Sequence, residues 1–172
     1  MKRIIGTIIG VLLVEVGIAL AVILTGKYDV SALNQDRGLT RWVLSHTMDN
    51  SVRRHAQGIE VLPSTDSSMI KIGFSHYHRM CETCHGGPSI PRSEIGEGLN
   101  PPPPRLVRAA LDWSDAELYW IIKNGVKMTG MPAFGPTHSE NELWAIVAFV
   151  KHLPTMQPEQ YQNMIRSGVP EE

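Results

Sequence analysis

Five strong metal-ligand side chains stand within F-S-H-Y-H-R-M-C-E-T-C-H-G, residues 74–86: His76, His78, Cys81, Cys84 and His85. Two chemistries compete for them. A zinc site would take the cysteines as thiolates together with two histidines. A covalent haem site needs only Cys81-Glu82-Thr83-Cys84-His85, which matches C-x-x-C-H. That spacing has a mechanical reason. Two cysteines three apart reach the two vinyl groups on one haem edge as thioethers, and the adjacent imidazole meets the iron from one face. Zinc fits less well. On a helix His76 and His78 point about 160° apart, at ~100° per residue. Zinc sites also draw their second ligand pair from a distant segment, and the other histidines here are scattered. The motif therefore points to haem, with His76 and His78 as exposed bystanders.

Haem iron has a second face. M-T-G-M-P-A-F-G, residues 128–135, offers two methionines, Met128 and Met131. A thioether opposite histidine raises the reduction potential and suits electron transfer. Methionine is also common adaptable core filler.

The elements that must position these groups read as helices, and no segment alternates convincingly with period two. A first helix over about 67–80 leads into the cysteines. Pro101 to Pro104 then bar helix and central strand. Ser114 and Glu117 open another helix as a capping box, and it stops near Asn124-Gly125. Ser139 and Glu142 open the last one. Leu143, Ile146, Val147 and Val150 form its buried stripe, and Pro154 ends it. The main domain is thus all-α over 69–153. Residues 154–172 read as a polar tail with one short helix near 158–165.

Upstream, Ile4 to Leu24 holds a single charge, Glu15. That length suits an uncleaved transmembrane anchor within residues 1–28 better than the shorter apolar region of a signal peptide. Lys2 and Arg3 favour a cytoplasmic N-terminus, but Lys27, Arg37 and Arg41 on the other side nearly balance them. Residues 29–68 read as a juxtamembrane linker with an amphipathic helix at 38–57. Leu39, Trp42, Val43 and His46 are its expected packing face, against the domain, the membrane or a partner subunit. A net charge of −1 offers no basic surface for nucleic acid. With only two cysteines, a four-cysteine iron–sulfur cluster is excluded.

Together these features resemble the class I c-type cytochromes, small haem electron carriers with His/Met ligation, in a membrane-anchored bacterial form. Besides C-x-x-C-H, Gly73 and Tyr77 precede Cys81 at the family's spacing, where the first helix crosses the last, with Ile146 and Phe149 as their counterparts. G-M-P-A-F-G resembles the sixth-ligand loop and implies Met131 as the ligand. Pro104-Arg105-Leu106 resembles a P-x-L element, which implies a Pro104 carbonyl on His85 and Leu106 in the haem wall. Arg105 and Trp120 are expected partners of the haem propionates. The resemblance implies one covalent haem c held by Cys81, Cys84, His85 and Met131. It implies no substrate chemistry, since both axial positions are filled. It also implies a haem domain in the periplasm, redox partner proteins, and a place as a carrier or as a subunit of a respiratory complex. The alternative is a haem sensor or enzyme in which Met131 is labile.

Overall fold

The computed structural model describes residues 1–35, 38–62 and 66–168. Residues 36–37, 63–65 and 169–172, parts of the expected linker and tail, lie outside the described residues. The described residues form helices and turns without a strand, and only Gly87 and Ile90 make an isolated bridge. The all-α expectation holds. The chain divides into two units, Met1–Asn34 and Gln35–Glu172.

The first unit is one helix, α1 (Lys2–Thr25), closed by Gly26 in a left-handed conformation at φ 63°. Its 24 residues rise about 36 Å at ~1.5 Å each, enough for a bilayer's ~30 Å hydrocarbon core. Its mean hydropathy reaches 2.7, and none of it is buried against protein.

The second unit begins with α2 (Leu39–His55), α3 (Ser67–His76) and a π turn at Tyr77–Cys81. Three short helices follow, α4 (Glu82–His85), α5 (Glu94–Glu97) and α6 (Leu106–Ala109). Then come α7 (Asp115–Asn124), α8 (Glu140–His152) and α9 (Pro158–Arg166). Both expected capping boxes are formed, Ser114 with Glu117 and Ser139 with Glu142. Each side-chain cap is worth about 1 kcal/mol. Because α2 belongs to this unit, it is part of the folded body rather than a free linker.

The frame of the unit is the crossing of α3 and α8. A Cβ on Gly73 would lie 1.9 Å from the Ala145 carbonyl oxygen and 2.8 Å from the Phe149 Cβ, so only glycine permits this approach. Tyr77 packs its ring 5.2 Å from that of Phe149. The expected pairing therefore holds for Phe149, while Ala145 rather than Ile146 takes the closest contact. On the other side of α8, Tyr119 of α7 stacks on Trp144 at 4.4 Å.

The expected short helix of the C-terminal segment is present as α9, but the segment is more than a polar tail. Tyr161 is fully buried, and Met164 and Ile165 pack beside it against the core. The three form one stripe of α9, hidden in the sequence among glutamines and charges. In α2, Leu39, Trp42 and Val43 are exposed, and Trp42 stacks only on His46 of its own helix. Among the residues of α2, Val52 alone is buried.

Candidate functional site: an apolar cavity

Between these helices lies a cavity of about 490 Å³. That is within the ~300–1,000 Å³ usual for small-molecule and cofactor sites. Cys81, Cys84 and His85 line it from α3's continuation into α4, and Met131 lines it from the loop before α8. Leu106, Leu118, Ile121, Ile122, Ile146 and Val150 supply apolar walls.

The attachment segment is shaped by its neighbours. The amide of Glu82 donates to the carbonyl of Tyr77, five residues back, which widens the helix as it reaches the cysteines. Tyr77 is buried and donates its hydroxyl to the Gly86 carbonyl at 2.6 Å. Ser93 holds the Thr83 carbonyl with both its amide, at 3.0 Å, and its hydroxyl, at 2.8 Å. A Cβ on Gly96 would come within 3.0 Å of the Cys84 Cα, so α5 lies directly on the motif. Burial, with Cys84 adding to it, pushes the Cys81 thiol up to about 12. This is the opposite of the depressed value that marks a thiolate metal ligand or redox cysteine.

His85 is nine-tenths buried, and its Nδ1 lies 2.8 Å from the Pro104 carbonyl oxygen. A carbonyl only accepts, so Nδ1 carries the proton and Nε2 keeps its lone pair for a metal. Burial lowers the imidazole's pKa further, while the Pro104 bond opposes it. The neutral ring is thus favoured.

Met131 sits in a loop tied at both ends. Its amide donates to the Thr129 hydroxyl at 3.1 Å, and that hydroxyl donates to the Val126 carbonyl at 2.7 Å. Gly125 turns the chain into the loop at φ 65°, where a Cβ would meet the Met131 oxygen at 2.8 Å. Met128 also borders the cavity, but it is 87% exposed and sits at φ 59° on the rim.

Several expected site residues sit elsewhere. Arg105 does not line the cavity. Its Nη2 donates to the Gly87 carbonyl at 3.0 Å, because Pro104 turns its carbonyl to His85 and the next side chain leaves on the other side. Trp120 is also outside and stacks on His55 at 5.4 Å. It lies about 150° around α7 from the mean direction of Leu118, Ile121 and Ile122, which line the cavity. His76 and His78 are not the exposed bystanders expected. His76 is 4% exposed, against Glu142 of α8 and the ring of His138. His78 binds Glu82 through Nδ1 at 2.9 Å, and its ring stacks on Phe74. Both are thereby turned to protein partners, and among the described residues no cluster of three or more His, Cys, Asp or Glu side chains is arranged to hold a metal ion.

Sequence reasoning placed a helix at 38–57 but missed its part in the cavity. Arg41, Leu44, Ser45 and Met48 line the cavity, with Trp113 beyond them. These residues stand three and four apart, so the signal was present. It was masked by the more apolar set at Leu39, Trp42 and Val43.

The donor set fits a covalent haem: two neighbouring thiols, an imidazole with a fixed tautomer, and a thioether, in one apolar cavity. Residues 68–150 match the family model described as cytochrome C oxidase, cbb3-type, subunit III. No curated protein matches the chain.

Proposed function

We propose that this chain, whose residues 68–150 form a class I c-type cytochrome domain with a covalently bound c-type haem, is the membrane-tethered haem subunit of a larger respiratory complex. In this reading Cys81 and Cys84 would hold the group as thioethers, and His85 and Met131 would ligate its iron. The bound group supplies a one-electron Fe(III)/Fe(II) couple: a donor protein loses one electron and an acceptor gains it. The chain's own residues do the rest. Pro104 orients His85, Thr129 and Gly125 hold Met131 in place, and Leu106 and the α7 and α8 side chains exclude water.

The observation that carries this reading is the meeting of Cys81, Cys84, His85 and Met131 in one cavity, with His85 Nδ1 already engaged by Pro104. The tether is supported by α1, long and apolar enough to cross a membrane. Haem attachment outside the cytoplasm, as in the resembling family, supports a cytoplasmic N-terminus and a periplasmic haem domain. The words "subunit III" in the matched family, and the packed α2 outside the match, support membership of a complex over a free carrier.

The test is optical. The ferric protein should show the weak near-infrared band of an iron–thioether bond, and the ferrous protein should not bind CO. Met131→Ala should abolish the band, and Met128→Ala should keep it. CO binding by the unaltered protein would favour a sensor or enzyme with a labile methionine. Solubilisation in mild detergent tests the complex: a subunit carries its partners with it, whereas a free carrier elutes alone.

A further inference from the structure

Helix α2 lies outside residues 68–150, yet one of its faces belongs to the cavity. Arg41, Leu44, Met48 and Val52 recur at three- and four-residue intervals and form a single stripe. The stripe spans about 16 Å at ~1.5 Å per residue. Its C-terminal end is locked to the domain. Val52 is buried, Arg53 lies 4.0 Å from Glu117 and 5.9 Å from the centre of the Trp113 ring, and His55 stacks on Trp120. From this fixed end the same face runs on along the cavity, where half-buried Met48 and then Leu44 and Arg41, both exposed, line it in turn.

The charges are one-sided. Among the described lining residues two are cationic, Arg41 and Lys127, and none is acidic. A haem carries two carboxylates, and a guanidinium matches a carboxylate in shape and charge. The residues expected to meet those carboxylates, Arg105 and Trp120, lie outside the cavity.

We propose that α2 is a wall of the haem site: Leu44 and Met48 keep water from the group, and Arg41 supplies positive charge to its carboxylates. This rests on the cavity being the haem site and adds to that site an element that the matched domain does not include. The wall bears on function directly, because solvent exposure and local charge set the potential of a haem. Water and the loss of a cation both favour the ferric state.

The experiment is a redox titration of the full, haem-loaded chain in detergent. Leu44→Ala/Met48→Ala and Arg41→Gln should each lower the midpoint potential, and Arg41→Lys should restore most of the second loss. Trp42→Ala, on the exposed face of α2, should leave the potential unchanged. A wild-type potential in the double variant overturns the wall, and a wild-type potential in Arg41→Gln overturns the charge. Should the double variant lose its helicity, methionine oxidation of the unaltered protein decides. Met48 should oxidise much more slowly than Met128, and equal rates overturn the wall. Each variant must retain the iron–thioether band. If Met131→Ala also retains it, the reading of the haem site has failed rather than that of α2.

Discussion

The imidazole Nδ1 of His85 meets the carbonyl oxygen of Pro104 at 2.8 Å, from nineteen positions away along the chain. The bond fixes the tautomer and makes the opposite nitrogen a stronger donor to a metal. Pro104→Gly keeps the carbonyl but frees the backbone that aims it. The expected result is a higher midpoint potential, because a weaker ligand stabilises the ferric ion less. A stability loss of about 1 kcal/mol should accompany it. Potentiometry and chemical denaturation read the two effects, and an unchanged potential would mean that the bond does not act on the site.

Gly73 is the tightest approach in the frame. Gly73→Ala places a methyl group 1.9 Å from the Ala145 oxygen, so α3 and α8 must move apart. Overpacking of this kind costs about 1–3 kcal/mol. Gly6→Ala in α1 meets nothing within 4 Å and should be neutral. Denaturant midpoints of the two variants compare them directly.

Thr129 holds Met131 without entering the ligand set. Thr129→Val removes the hydroxyl that links the Met131 amide to the Val126 carbonyl. The loss should be about 1–2 kcal/mol, on the order of tenfold in the concentration of added imidazole that displaces the methionine. Thr129→Ser should restore the wild-type value. Bleaching of the iron–thioether band during an imidazole titration measures it.

Glu142 gives the acid side of the stability profile. Its hydrogen bonds from the Ser139 hydroxyl and amide hold its carboxyl below the ordinary value of 4.5. A depressed carboxyl contributes stability above its unfolded pKa and loses it as the pH falls through the folded value. Thermal unfolding temperature should therefore drop below about pH 4.5, and Glu142→Gln should flatten that part of the profile while lowering the plateau. A profile with the same acid slope in Glu142→Gln would show that other carboxylates dominate it.

Local signals were readable wherever a few adjacent residues decide the geometry. Ser114 with Glu117, Ser139 with Glu142, and the glycine stop at Gly125 depend on hydrogen bonds within one turn, and each helix begins or ends there. Cys81, Cys84 and His85 announce their chemistry by spacing alone. What escaped depends on contacts made across the chain. His76 looked exposed because nothing nearby reveals that α8 covers it. Trp120 is an attractive hydrogen-bond donor in sequence, yet α7 turns it to the side held by His55. In α2 the apolar pattern picked out Leu39, Trp42 and Val43, whereas the residues that line the cavity are Arg41, Leu44, Ser45 and Met48.

Tyr161 of α9 donates its hydroxyl to Glu82, which stands between Cys81 and Cys84 and also binds His78. Its ring also closes over Gly87, where a Cβ would meet it at 3.0 Å. The two ends of this clasp are 79 residues apart, so during synthesis the attachment segment emerges long before its cover. Until α9 folds back, the stretch that carries Cys81 and Cys84 lacks these two fastenings, and a chain cut short before Tyr161 would never gain them.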